Sequence, residues 1–283
     1  MSRHIRIEYP GAIYHITSRG NARESVYLCD KDRQIFLDIL SDTVEDHNLT
    51  LHSYCLMDNH YHLLVETPDG NLSRAMRQLN GIYTQRFNWR YKRCGHVFQG
   101  RYKSVLVERD SYLLELCRYI ALNPVRARIV KLPEDYMWSS HRAVAGLEEP
   151  LRCLSLTWIL SNFSTDSSNA AAMYQKFVME GIGKPTVIPE NGIAIGGESY
   201  LQQIQDMASG SGLEHSRRER YLGRPELGSI FNGIEDTKGR NRAIYKAYVE
   251  NAYTQREIAA YLGISCVTVS RVIKELRMLN VNS

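Results

Sequence analysis

Two β-rich runs, Leu49–Leu56 and Tyr61–Glu66, are separated by only four residues, Met57-Asp58-Asn59-His60. So short a connection fits an antiparallel hairpin, because parallel strands need a crossover of a dozen or more residues. The surrounding chain supplies partners for that hairpin. Ala12–Thr17 reads as a strand followed by a turn-like Ser18-Arg19-Gly20-Asn21. Between Lys31 and His47, Ile35, Phe36, Ile39, Leu40 and Val44 recur at helical spacing. Asn71-Leu72-Ser73 opens a second helix running toward Trp89, with Ser73 as its expected N-cap. Val97–Val107 passes from loop into strand, and Asp110 or Ser111 is placed to cap a third helix carrying Leu113, Leu114, Leu116, Cys117 and Ile120. The order β-α-β-β-α-β-α predicts an α+β fold, a ferredoxin-like antiparallel sheet with helices on one side.

A length of 283 residues suggests about two domains. The sheet domain is expected to end between Arg142 and Pro150, giving 1–146 as the first domain. A helical and irregular connecting region follows over 147–200, then an all-α helix-turn-helix domain over 201–283. Within the connector, Leu151–Val178 reads as helix interrupted by the polar run Ser161–Asn169, and Gly181–Gly197 as irregular. Gly181-Ile182-Gly183-Lys184 lacks the upstream glycine and following Ser/Thr of a phosphate loop and is not read as one.

The C-terminal module rests on Gln255–Arg271. Thr254 caps a first helix, and Glu257 three residues on completes a capping box. Ile258 and Leu262 face a core, Gly263 makes the turn, Ser265 caps a second helix and Val269 anchors it; Arg240–Val249 supplies a preceding helix. Ser265, Cys266, Thr268, Ser270 and Arg271 are then available to a duplex major groove or its phosphates. The pattern resembles the helix-turn-helix domains of the Trp-repressor and DnaA types.

Net charge is only +4, but its distribution is uneven. From Arg74 to Arg109 nine cations face one anion, Glu108, a local field that attracts phosphate backbones. Arg86-Phe87-Asn88-Trp89-Arg90-Tyr91-Lys92-Arg93 interleaves cations with aromatics, as single-stranded DNA binding requires; Phe87 and Trp89 fit a helix core equally well. Six scattered cysteines without a C-x-x-C pair argue against zinc or a disulfide framework. The absence of a bilayer-length apolar stretch or apolar signal core implies a soluble, cytoplasmic protein with no membrane partner.

Two sets of residues carry candidate chemistry. On a strand, His60 and His62 share one face and Tyr61 the other. Such a pair either binds one divalent cation or sits as a surface or hydrogen-bonded pair, and His-x-His alone does not choose. On a helix, Tyr119 and Asn123 project together, although Pro124 disfavours helical geometry at Asn123, so a fray or kink is expected just there. Asn123 offers a hard oxygen suited to Mg²⁺ or Mn²⁺, while Tyr119 could equally line a core with Leu116 and Ile120. His15, on the neighbouring strand, either supports the site or is a satisfied sheet histidine, the second being the favoured reading.

Asp58-Asn59-His60-Tyr61-His62-Leu63-Leu64-Val65, Gly100-Arg101-Tyr102-Lys103-Ser104 and Tyr119-Ile120-Ala121-Leu122-Asn123-Pro124-Val125 resemble, in that order, the single-tyrosine HUH transposases. The opening Tyr14-His15-Ile16-Thr17-Ser18-Arg19-Gly20-Asn21 shares the likeness, which is nearest to the REP-associated tyrosine transposases of bacteria and spans roughly Arg3–Arg142. The resemblance implies a metal site at His60, His62 and Asn123 and a nucleophile at Tyr119, with Mg²⁺ or Mn²⁺ as cofactor. It implies DNA strand cleavage and transfer through a 5′-phosphotyrosine, on single-stranded and hairpin DNA, by a monomer or homodimer. The expected DNA contacts are Arg19, Arg90, Lys92, Arg93, Arg101 and Lys103, with the C-terminal module reading duplex DNA. Two other readings are a catalytically silent DNA-binding regulator and a replication-type nickase.

Overall fold

The computed structural model describes residues 7–185, 192–210, 225–234, 236–249, 251 and 253–281. It contains two compact units, Arg6–Gly197 and a second that begins at Glu198.

The first unit is organised by a five-stranded sheet of order β2-β3-β1-β4-β5. Its strands are β1 (Ala12–Arg19), β2 (Thr50–Met57), β3 (His60–Thr67), β4 (Lys103–Val107) and β5 (Ala194–Ile195). The first four are antiparallel in the ferredoxin-like order, with β1 paired on one side to β3 and on the other to β4. The short β5 adds to β4 in parallel, Leu106 opposite Ala194 and Val107 opposite Ile195. The region read from sequence as irregular therefore contains a strand; two residues are too few to give a periodic signal.

Helices cover both faces of the sheet, not one. The α1 helix (Asp30–Asp46) buries Phe36, Leu37, Ile39, Leu40 and Val44, and α2 (Leu72–Arg90) buries Leu72, Ala75, Met76, Leu79, Tyr83 and Phe87. Together they close an aromatic cluster on the face that carries Tyr61: the Phe36 ring lies 4.9 Å from Tyr61 and 5.2 Å from Tyr83, and the Tyr61 hydroxyl donates to Asn80 Oδ1 at 2.7 Å. The opposite face carries Ile13, Leu64, Val105 and Val107, packed against Leu113, Leu116, Cys117 and Ile120 of α3 (Arg109–Ala121). The expected N-caps move by two or three residues. Asn71 rather than Ser73 precedes α2, with Ser73 hydrogen-bonded to the Glu8 carboxylate, and Glu108 precedes α3.

After α3 the chain breaks at Leu122 and starts α4 (Asn123–Arg126), with Pro124 in its first turn, where a missing N–H costs nothing. Two short helices, α5 (His141–Val144) and α6 (Thr157–Ser161), precede α7 (Ser167–Met179), which Asp166 caps by accepting from Ser168 N–H. Ile159, Tyr174 and Val178 share the core of α3. Most of the stretch read as a connector thus packs inside the first unit, because its sparse apolar residues find the α3 face. The polar run Ser161–Asn169 spans the join between α6 and α7.

The second unit contains α8 (Glu198–Gly210), α9 (Leu227–Phe231), α10 (Thr237–Val249), α11 (Gln255–Leu262) and α12 (Cys266–Val281). The Thr254–Glu257 capping box forms, and Gly263 takes the left-handed conformation at φ 64° that ends α11. Ile244, Ala247, Ile258, Ala259, Val269, Val272 and Ile273 make its core. No described helix is long and apolar enough to cross a membrane.

The start of α1 depends on Asp32, only 2% exposed, whose Oδ2 accepts from the backbone N–H of Leu28 and Cys29 and from the Tyr91 hydroxyl. Asp32→Ala would leave these donors unpaired, at about 1–3 kcal/mol each for those shielded from water. A thermal midpoint lowered by roughly 5–10 °C is the expected result in calorimetry, with Arg90→Ala costing less.

Candidate active site and nucleic-acid interface

Strand register builds the candidate site. In the β1–β3 ladder Arg19 lies opposite His60 and Thr17 opposite His62, so His15 is the diagonal neighbour of His62 on the same face. Across that diagonal, His15 Nε2 and His62 Nδ1 are 2.9 Å apart, and the rings stack at 5.2 Å with 10° between their planes. His60 lies two residues before His62, its ring 5.0 Å away, and its Nδ1 pairs with Asn59 Oδ1 at 2.7 Å. The last turn of α3 brings Tyr119 edge-on to both His15 and His62, at 6.0 and 5.9 Å. Four side chains from β1, β3 and α3 therefore converge, and His15 is part of the cluster rather than a bystander.

The imidazoles are held neutral. Burial, with the charge of Lys103, lowers His15 to about 3, and burial with Arg19 lowers His60 to about 4. His62 falls well below the ordinary range through burial first, then its histidine neighbours and Arg19. Its Nε2 is buried without a hydrogen-bond partner.

Asn123 is positioned differently from the histidines. Its Nδ2 donates to the Tyr119 carbonyl at 3.0 Å, and no hydrogen bond ties it to an imidazole. Arg126, which sequence reasoning passed over, donates to the same carbonyl at 3.2 Å and holds its guanidinium 5.1 Å from the centre of the Tyr119 ring. Nothing in its spacing marked it, because α4 exists only through the break at Leu122.

The basic residues divide by their partners. Arg19 and Lys103 are exposed strand-end cations whose charges reach the histidines. Arg101 and Lys92 are exposed, and Lys92 has a left-handed backbone at φ 50°. Arg90 and Arg93 are engaged within the chain, with Asp32 at 3.4 Å and Glu24 at 3.0 Å. Several loops meet at the histidine end of the sheet. Gly20 N–H donates to Asn59 O, Asn21 N–H to Val97 O, and Gln99 N–H to Arg19 O. A Cβ at Gly20 would lie 2.0 Å from Glu24 O, so only glycine fits there. In the second unit, Cys266, Val267, Ser270 and Arg271 are exposed on the first turns of α12. Ser265 Oγ instead accepts from Thr268 N–H at 3.1 Å and pairs with the Thr268 hydroxyl, so those two residues cap the helix.

The chain is similar to known proteins over this region. A Haemophilus influenzae protein named "Putative REP-associated tyrosine transposase" is 28% identical over 157 residues, covering 51% of this chain and 88% of its own. A solved REP-associated tyrosine transposase bound to a REP hairpin aligns with 20% identity and a TM-score of 0.45, over 55% of this chain and 93% of its own. Residues 8–123 match the family described as Transposase IS200 like, and that span contains β1, the His60–His62 pair and both Tyr119 and Asn123. Over that span the chain is similar to the IS200-like transposases.

Proposed function

We propose that the chain is a metal-dependent single-tyrosine transposase that cleaves and rejoins single-stranded DNA beside palindromic, REP-like hairpins. The observation that carries this reading is the convergence of His15, His60, His62 and Tyr119 within one cluster. The name of the Haemophilus relative supports the choice of substrate.

A divalent ion fits these residues. With Nδ1–H of His62 donated to His15 and Nδ1–H of His60 to Asn59, each ring keeps an Nε2 lone pair, and that of His62 is buried and unpartnered. Asn123 Oδ1 is the third donor of the proposed set, its amide N–H₂ being used on Tyr119. Among the described residues no group of three His, Cys, Asp or Glu side chains offers an alternative. Mg²⁺ or Mn²⁺ suits this mixed set, and when bound it supplies charge stabilisation at the scissile phosphate.

Tyr119 Oη attacks phosphorus in line and loses its proton as the bond to the 3′ oxygen breaks; that oxygen takes up a proton and leaves as a 3′-hydroxyl. The downstream fragment stays linked to Tyr119 through its 5′-phosphate. Because the phosphotyrosine retains the energy of the phosphodiester, another 3′-hydroxyl can reverse the step and join strands without a nucleotide cofactor. His15 orients His62, and Arg126 fixes the Tyr119 ring. The exposed start of α12, with Cys266, Val267, Ser270 and Arg271, is the proposed reader of duplex DNA.

Incubation with labelled single-stranded hairpin DNA and Mn²⁺ is expected to give a covalent protein–DNA band on a denaturing gel. Tyr119→Phe should abolish it, and His62→Ala should abolish it while leaving duplex binding intact. No band with the unaltered chain across host palindromes, with duplex binding retained, would instead favour the silent regulator.

The depressed histidines also predict a pH profile. His15, His60 and His141, which burial lowers to about 4, ordinarily titrate near 6.5. Between that value and pH 4 the unfolded chain therefore binds more protons than the folded one, and stability falls as pH drops through this window. The metal-free thermal midpoint should be level from pH 8 to 7 and decline from pH 6.5 to 5. Mn²⁺ should raise it at pH 7.5, and should not do so in His60→Ala.

A further inference from the structure

The α2 helix carries four arginines, Arg74, Arg77, Arg86 and Arg90, and no acidic residue over its 19 positions. Its buried side is a regular stripe from Leu72 to Phe87, so the opposite side faces water along its whole length. On that outer side Arg74, Arg77, Gln85 and Trp89 are all exposed, and the space over Gly81 is open; Arg86, seven residues after Leu79, is exposed on the flank of the buried stripe instead. Arg74, Arg77 and Arg86 have no acidic partner among the described residues, unlike Arg90 and Arg93. Trp89 is 86% exposed, whereas Phe87, two residues earlier, is buried. A single exposed apolar side chain needs no explanation. An indole on an acid-free ridge of unpaired guanidiniums matches what a nucleic-acid strand requires, a flat platform for a base beside cations for its phosphates.

The ridge also leads to the candidate site. Beyond Arg90 the chain turns back so that Asn88 Nδ2 donates to Gly95 O, and the following loop is bonded through Val97 and Gln99 to Asn21 and Arg19. Arg19 lies opposite His60 in the ladder. The Trp89 end of α2 is thus the end tied to the histidines.

We propose that the outer face of α2 is a track for an unpaired DNA strand, with phosphates on Arg74 and Arg77 and a base stacked on Trp89. The proposal rests on the reading of the substrate as single-stranded DNA and adds a binding surface outside the cleavage cluster. It separates two classes of arginine that look alike in sequence, because Arg93 is already ion-paired and contributes little to the track.

The test is fluorescence anisotropy of the full-length chain, without metal, on a labelled hairpin with an unpaired tail and on the same hairpin blunt. Trp89→Ala should weaken the tailed probe roughly 5- to 100-fold and leave the blunt probe unchanged, while Trp89→Phe keeps most of the affinity. Arg74→Gln and Arg77→Gln should each lower the salt dependence of tailed binding by about 0.7, and Arg93→Gln should not. These positions are exposed, and an unchanged thermal midpoint verifies each fold. Unchanged affinity of Trp89→Ala for the tailed probe, equal loss on both probes, or tighter binding of an RNA tail would overturn the track. The covalent band through Tyr119 is read separately, so a missing track with the band present leaves the cleavage reading standing, and the converse holds.

Discussion

Strand β1 is hydrogen-bonded on both sides, to β3 from Ala12–Thr67 through Arg19–His60 and to β4 from Tyr14–Leu106 through Thr17–Lys103. Strand side chains alternate, so a slip of one residue would send every β1 side chain to the other face. The aromatic cluster around Tyr61 and the aliphatic layer under α3 fix the register from opposite sides, since Tyr14 and Ile13 are both buried and differ too much in size and polarity to exchange layers without misfit. With the register fixed, His15 has to lie across the diagonal from His62, and Lys103 beside Thr17. The candidate site is a by-product of core packing on both faces of one sheet.

Its second support is the break between α3 and α4. Pro124 is compatible with the first turn of a new helix but not with the interior of a continuing one. The freed Tyr119 carbonyl is then satisfied by Asn123 and Arg126. Those two side chains lock the last turn of α3, which holds the Tyr119 ring against the histidines. A phenol on a frayed helix end would lose that orientation, so the proline serves the position of Tyr119 from a distance.

Burial does two things to this cluster. It lowers the proton affinity of all three imidazoles, which keeps ring nitrogens available, and it leaves His62 Nε2 without a partner. An unpaired buried polar atom is costly, and the chain tolerates it where two histidines and a tyrosine meet. The outer face of α2 shows a parallel: Arg74 and Arg77 have no acidic partner among the described residues, and Trp89 is exposed.

How much of this was readable in the residues varies with the range of the interaction. The hairpin, the α1 periodicity, the shared face of His60 and His62 and the Thr254–Glu257 box depend on neighbours within a few positions, and the sequence was sufficient for them. It was not sufficient for His15, whose role depends on a partner 47 residues away, or for Arg90 and Arg93, which are neutralised by Asp32 and Glu24 from before β2. Nor could it choose between Phe87 and Trp89, because α2 offers an aromatic to each side and only packing against α1 buries one. Local propensity acts through adjacent residues; register, ion pairing and burial are set when distant segments meet, and those are the features on which the candidate site depends.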